Sequence, residues 1–174
     1  MILVSALLFT VSGAWAQFDY AEVVSTDSIQ APGLYWNIKS WLSASTDKVI
    51  NLSLDSAHST IEGNFEFPVY TQSGVLKKLS GTVSYHFKAE IRESRYRYQF
   101  DDFMFHYMKM DRNYQMVKTG KMKRLKEQKA SGWQKTWIKH RNTTDSHVRR
   151  EIADLKRAAM RKSGTEAIII QTDW

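Results

Sequence analysis

The chain contains no cysteine and only two prolines in 174 residues. Without cysteine there can be no disulfide, no thiol catalysis, no Cys-ligated zinc and no anchoring through a lipidated cysteine. Other absences narrow the chemistry further. No Gly-x-Ser-x-Gly, Ser-x-x-Lys or phosphate loop occurs, and no His-Glu-x-x-His. None of the five histidines (His58, His86, His106, His140, His147) stands four residues from another, as a helical zinc pair would require. These gaps make an enzyme the minority reading, and no cofactor or metal is implied.

Charge is missing from the first seventeen residues, MILVSALLFTVSGAWAQ. An apolar run from Ile2 to Val11 precedes Ala14-Trp15-Ala16, the small-x-small pattern cut by signal peptidases. The run is too short to span a bilayer, which takes roughly 20 residues, so it reads as an export signal cleaved between Ala16 and Gln17. The mature chain is expected in the periplasm or peripherally on the outer membrane, with no transmembrane segment. What remains is a single domain's length, large enough for a core without disulfides.

Acidic residues are scarce in the C-terminal third. From Asp19 to Met108, 8 Lys and Arg stand against 11 Asp and Glu, whereas from Lys109 to Lys162 the counts are 17 and 5. Such asymmetry signals either an anionic partner or a solvated helical face. For an exported protein, an anionic envelope surface or an acidic envelope protein is the expected partner, and nucleic acid is not.

Phe18–Val24 reads as a strand and Pro32–Ala44 as a helix, with Leu34, Ile38, Trp41 and Leu42 on one face and Pro32 suited to the first turn. Val49–Leu54, Ile61–Val69 and Val83–Ile91 alternate with the two-residue period of strands. Pro68 cannot donate a ladder hydrogen bond, so its strand is at an edge or ends there. Thr71–Gly81 reads as a loop. Tyr96, Tyr98 and Phe100 alternate next, but at Asp101-Asp102 the phase slips to Phe103, Phe105 and Tyr107, which predicts a β-bulge. Three antiparallel strands in a meander result. Beyond Met108 the chain is basic and reads as mainly helical. After the capping cluster Asn142-Thr143-Thr144-Asp145, a helix over about Ser146–Lys162 is expected to dock Val148, Ile152, Leu155 and Ala159.

Gly33-Leu34-Tyr35, Trp41, Val49-Ile50, Ile61-Glu62-Gly63 and Arg95-Tyr96-Arg97-Tyr98 occur in an order and spacing that resembles the exported bacterial domain of unknown function 4468, over about residues 18–108. Where the family pattern has Lys-Asp-Gly before the Arg-Tyr-Arg-Tyr stretch, this chain has Arg92-Glu93-Ser94. The resemblance implies an α+β, TBP-like fold: one curved antiparallel sheet of about five strands with a helix on one face. It implies no activity, substrate or catalytic residue, and the name of the fold does not imply DNA binding.

Two function classes follow. The first is a non-catalytic binding or accessory module for an anionic envelope component or protein partner. Its candidate residues are Lys121, Lys123, Arg124, Lys126, Arg149, Arg150, Lys156 and Arg157. The alternative is a hydrolase of an envelope polymer using Asp101 or Asp102, the only adjacent acidic pair. Neighbouring strand residues face opposite sides, so these two carboxylates need a bulge to cooperate. His86 and His106 fall on the polar phase of their strands and read as surface histidines. Arg92, Arg95 and Arg97 are expected to pair across strands with Glu90 or Glu93.

Overall fold

The computed structural model describes residues 18–26, 29–73, 76–126 and 134–161. The proposed leader (1–17) and the apolar stretch Ala167–Ile170 lie outside these residues. The elements are β1 (Tyr20–Ser25), α1 (Ala31–Ala44), β2 (Lys48–Asp55), β3 (Thr60–Ser73), β4 (Leu76–Arg92), β5 (Arg95–Met110), β6 (Met116–Arg124) and α2 (Gln134–Ala159). All strand pairs are antiparallel, in the order β1-β5-β4-β3-β2, with β6 also on β5. Among the described residues the sheet has six strands. No helix among the described residues is long and apolar enough to cross a membrane.

The alternation predicted for β3, β4 and β5 generates one apolar face. Phe65, Phe67, Val69, Val83, Tyr85, Phe87, Tyr98, Phe100 and Phe105 are all buried on it. The bulge falls where the phase slips: Ser84 is opposite Met104 but His86 is opposite Asp101, and Asp102 takes a φ of 49°. The extra residue returns Phe103 and Phe105 to the core. It also marks a change of partner, because β5 pairs with β1 up to Phe100 and with β6 from Met104. Pro68 lies beyond Glu66, where β2 stops, so its missing N–H faces the unpaired side of β3.

Two segments differ from the sequence reading. Thr71–Gly81 is mostly strand, because β3 and β4 form a long hairpin that continues past Val69 through a register shift. Met116–Arg124 is a strand rather than part of a helical extension. Its own pattern is weak, but backbone pairing to β5 supplies what periodicity lacks. The tight turn before it is held by Asp111 Oδ1, which accepts from the N–H groups of Asn113 and Gln115 at 2.8 Å each. Lys121, Lys123 and Arg124 therefore sit on this strand, and Lys126 in the turn after it.

α1 buries Leu34, Tyr35, Ile38 and Leu42, and Trp41 meets Phe87 edge-on. α2 begins at Gln134, well before the predicted cap, and runs straight through Asn142–Asp145. Its buried stripe is Trp137, His140, Thr144, Val148, Glu151, Leu155 and Ala158-Ala159; Ile152 is only half-buried. Helical spacing is intact, but three of these core-facing positions are polar. Asp145 serves as a tertiary contact, accepting from the Tyr20 hydroxyl at 2.6 Å and pairing with Arg149. Further along the helix, Lys156 reaches Glu22, which also accepts from the Tyr98 hydroxyl at 2.6 Å. The basic helix is thus latched to β1 by acids on both partners.

Candidate functional site

A cleft of about 570 Å³ opens between β3 and α2, lined by Phe67, Pro68, Tyr70, Lys139, Thr143, Ser146, His147 and Arg150. Helical geometry assembles its wall, because Lys139, Thr143, Ser146 and Arg150 follow one another at spacings of four, three and four residues and so share a face. β3 supplies the apolar floor: Phe67 stacks on the His147 ring with centroids 3.8 Å apart, and Tyr70 is half-exposed beside it. Among the described residues that line it there is no carboxylate.

Beneath the cleft is a buried polar network. α1 ends at Ala44, Ser45 takes extended backbone, and the Asp47 N–H donates to Ser45 Oγ at 3.2 Å, so the chain bends and carries Asp47 under α2. Asp47 Oδ2 accepts from the Tyr85 hydroxyl at 2.8 Å and lies 2.9 Å from His147 Nε2. Arg150 contacts His147 Nδ1 at 2.9 Å. A guanidinium only donates, so Nδ1 is the acceptor and Nε2–H donates to Asp47. This fixes which ring nitrogen faces which partner. Burial and the neighbouring Asp47 push the Tyr85 hydroxyl up.

Glu151 completes the cluster. Asp47, His147 and Glu151 present donor atoms within 4.8 Å of one another, the separation at which three ligands can share a cation. Both imidazole nitrogens are already engaged, so a cation would have to displace Arg150 and the Nε2 proton. Burial, then repulsion from Asp47, raises the Glu151 carboxyl above the usual carboxylate range, against smaller opposing effects of His147 and Arg150. The folded state therefore holds this proton more tightly than the unfolded chain, and stability falls as pH rises from the ordinary glutamate range through the raised value. Glu151→Gln removes that loss. Its melting temperature is expected to exceed the parent's by a few degrees at neutral pH and to match it in acid, as read by thermal unfolding across a pH series.

The sequence-derived basic residues do not converge. Arg149 and Lys156 face β1, where with Tyr20, Glu22 and Tyr98 they line a second cleft. Arg150 and Arg157 face α1 and line a third, together with Glu151 and Asp154. Arg149 is held by Asp145 at 2.9 Å and Arg157 by Asp154 at 3.1 Å. Lys121, Lys123 and Arg124 belong to β6 and Lys126 to the turn after it, with Arg124 3.9 Å from Asp102. Of the eight, only Arg150 lines the cleft over β3.

Asp101 and Asp102 are separated in role by the bulge. Asp101 pairs with His86 at 2.9 Å and accepts from Gln99, whereas Asp102 is exposed. Neither lines any of the clefts described here. His86 also reaches Glu62, and His106 bonds Ser84 at 2.8 Å, so each has its own partners. Glu90 stands opposite Arg97 in register but pairs with Lys88 at 2.8 Å. The residues that sequence reading missed are Asp47, Tyr85, Lys139, Thr143, Ser146, His147 and Glu151. The four-residue step from His147 to Glu151, inside the predicted helix, was the available signal, whereas placing a cap at Asn142–Asp145 left Lys139 and Thr143 outside that helix.

Solved structures share this architecture. A TBP-like protein from Parabacteroides distasonis superposes with a TM-score of 0.60 at 16% identity, covering 81% of this chain and 91% of the other. A DUF4468 family protein from Bacteroides ovatus gives 0.57 at 15% identity, covering 84% and 88%. Both spans extend past residue 106, so the shared fold takes in part of the basic C-terminal region. No curated protein matches the chain. Residues 20–106 match the family described as a domain of unknown function (DUF4468) with TBP-like fold, and the chain belongs to that family.

Proposed function

We propose that this chain is a non-catalytic binding module of the bacterial envelope, which after export takes an anionic component in the cleft between β3 and α2. The observation that carries the reading is the cleft's lining: Lys139 and Arg150 with the hydroxyls of Thr143 and Ser146, over an aromatic floor, with no carboxylate among the described lining residues. Arg150 spends one N–H on His147 and keeps other donors for a ligand. Lysine, arginine and hydroxyl groups around an aromatic surface suit a phosphate-, sulfate- or carboxylate-bearing group. The apolar leader with its Ala14-Trp15-Ala16 sequence supports export.

The test uses the secreted form and vesicles with and without an anionic phospholipid, titrated with salt. Binding to the anionic vesicles is expected to weaken steeply above physiological ionic strength, where screening acts within about 8 Å. Lys139→Glu combined with Arg150→Glu should reduce it by at least about tenfold. Arg149→Glu with Arg157→Glu should change it far less, because those side chains already serve Asp145 and Asp154. Salt-independent binding, or equal losses in the two pairs, overturns the assignment to this cleft. A native N-terminus that retains Met1 overturns export.

A further inference from the structure

Among the described residues, β2 closes one side of the sheet and pairs with β3 alone. It is exposed along almost its whole length, with Val49 at 45%, Ile50 at 52%, Leu52 at 41% and Leu54 at 40% of full exposure. No charge interrupts it between Lys48 and Asp55. Edge strands are ordinarily guarded by inward charges, proline or a covering element, and β2 has aliphatic side chains where those guards would stand.

The bulge in β2 gives this edge its logic. Val49 is opposite Phe65 and Asn51 is opposite Asn64, so Ile50 is the extra residue. Lys48, Asn51, Ser53 and Asp55 consequently share the polar face of the sheet with Glu66, Asn64, Glu62 and Thr60. Val49, Leu52 and Leu54 share the helix-bearing face with Phe65, Gly63 and Ile61.

Laid antiparallel on a second copy about Leu52, the strand complements itself. Leu52 meets the partner's Leu52, and Val49 meets the partner's Leu54 on the apolar face. Asn51 meets the partner's Ser53, and Lys48 meets the partner's Asp55 on the polar face, with Ile50 bulged on each strand. Every cross-strand pair matches in polarity, and both ends carry opposite charges. The same strand shifted by one residue would set apolar side chains against polar ones. Asp55 is ready for this role: it accepts from the His58 N–H at 3.0 Å and contacts the His58 ring at 2.6 Å, yet keeps 46% of its side chain exposed.

We propose that β2 is a homodimerisation edge, at which two copies of this chain pair antiparallel about Leu52 and join their sheets into one. A twofold axis through Leu52 makes the contact closed, so it yields a dimer and not a fibre. Main-chain hydrogen bonds supply affinity, and the Lys48–Asp55 ends set the register.

The experiment is sedimentation velocity on the secreted form across a concentration series. The parent is expected to be a dimer. Lys48→Asp and Asp55→Lys each place like charges at both ends and should weaken self-association by about tenfold. Mixed in equal amounts, the two single variants should recover a dimer, because each end then unites a carboxylate of one chain with a lysine of the other. Leu52→Lys sets two ammonium groups against each other at the axis and should give a monomer with an unchanged circular dichroism melt. That variant also decides the matter if Asp55→Lys fails to fold for want of its turn contacts with His58. A monomeric parent overturns the proposal; it is the result expected if another protein's strand, or this chain's own Ala167–Ile170, occupies the edge. Single variants that dimerise like the parent, or folded ones that fail to recover on mixing, overturn it as well.

Discussion

Leu155→Asp is expected to release α2 from the sheet and lower the unfolding free energy by more than about 4 kcal/mol. Leu155 is fully buried in the same apolar cluster as Phe65, Phe87 and Ala159. Removing the leucine forfeits roughly 1.5–3 kcal/mol of apolar burial. The carboxylate must then either ionise in an apolar site or keep its proton at neutral pH, and each adds to the loss. Undocking one turn strains its neighbours, because the Lys156–Glu22 pair and the Tyr20–Asp145 bond hold only while the helix lies flat. Urea unfolding measures the change, and trypsin cleavage after Lys156 and Arg157 should accelerate in parallel. Ala153→Asp is the control. Ala153 is exposed on the same helix, and its substitution should stay within about 0.5 kcal/mol of the parent. Equal losses at both positions would show that α2 gains its stability from helix propensity rather than from docking.

Gly81→Ala is the second large effect, with an expected cost of about 3 kcal/mol for a single methyl group. Gly81 stands opposite Tyr107 in the β4–β5 ladder. A Cβ there would lie 2.5 Å from the His106 carbonyl oxygen and still closer to the ring edge of Phe105. Phe105 cannot retreat, since it is buried and stacks on His140 with centroids 4.2 Å apart. The carbonyl belongs to the ladder itself, so relief requires β4 and β5 to part locally. The loss should appear in the melting temperature and in near-ultraviolet circular dichroism. Gly81→Ala combined with Phe105→Leu should recover little, because the backbone oxygen remains in the way. Full recovery in the double variant would place the whole conflict in the ring.

The meander was legible because an antiparallel sheet with one buried face imprints a two-residue period directly on the chain. Even its defect was readable: the phase slip at Asp101-Asp102 and the bulge at Asp102 are one event seen at two levels. Pro68 announced a locally unpaired edge for an equally local reason, the absence of one N–H. β6 was not legible. Met116–Arg124 has no apolar face of its own and is a strand because β5 offers it a free row of backbone groups. α2 was only half legible. Its docking stripe passes through His140, Thr144 and Glu151, and Asn142–Asp145 has the composition of a cap. Yet Asp145 is spent on Tyr20 and Arg149, more than a hundred residues from the first of these, and no local rule anticipates that.

What the sequence by itself determined is whatever depends on neighbours along the chain: strand periodicity, the bulge, α1, the family, and the concentration of positive charge beyond Met108. Only the tertiary structure decided where that charge goes. Docking α2 across the sheet divides its cations, setting Lys156 on Glu22 of β1 and Arg149, with Asp145 of its own helix, beside Tyr20, and leaving Arg150 with Lys139 over an aromatic floor. It also brings Asp47 and Tyr85 beneath His147. The physical reason is range. Hydrogen-bonding period and apolar burial act through residues a few positions apart, whereas a site is made where groups distant in sequence share one volume, and that depends on packing.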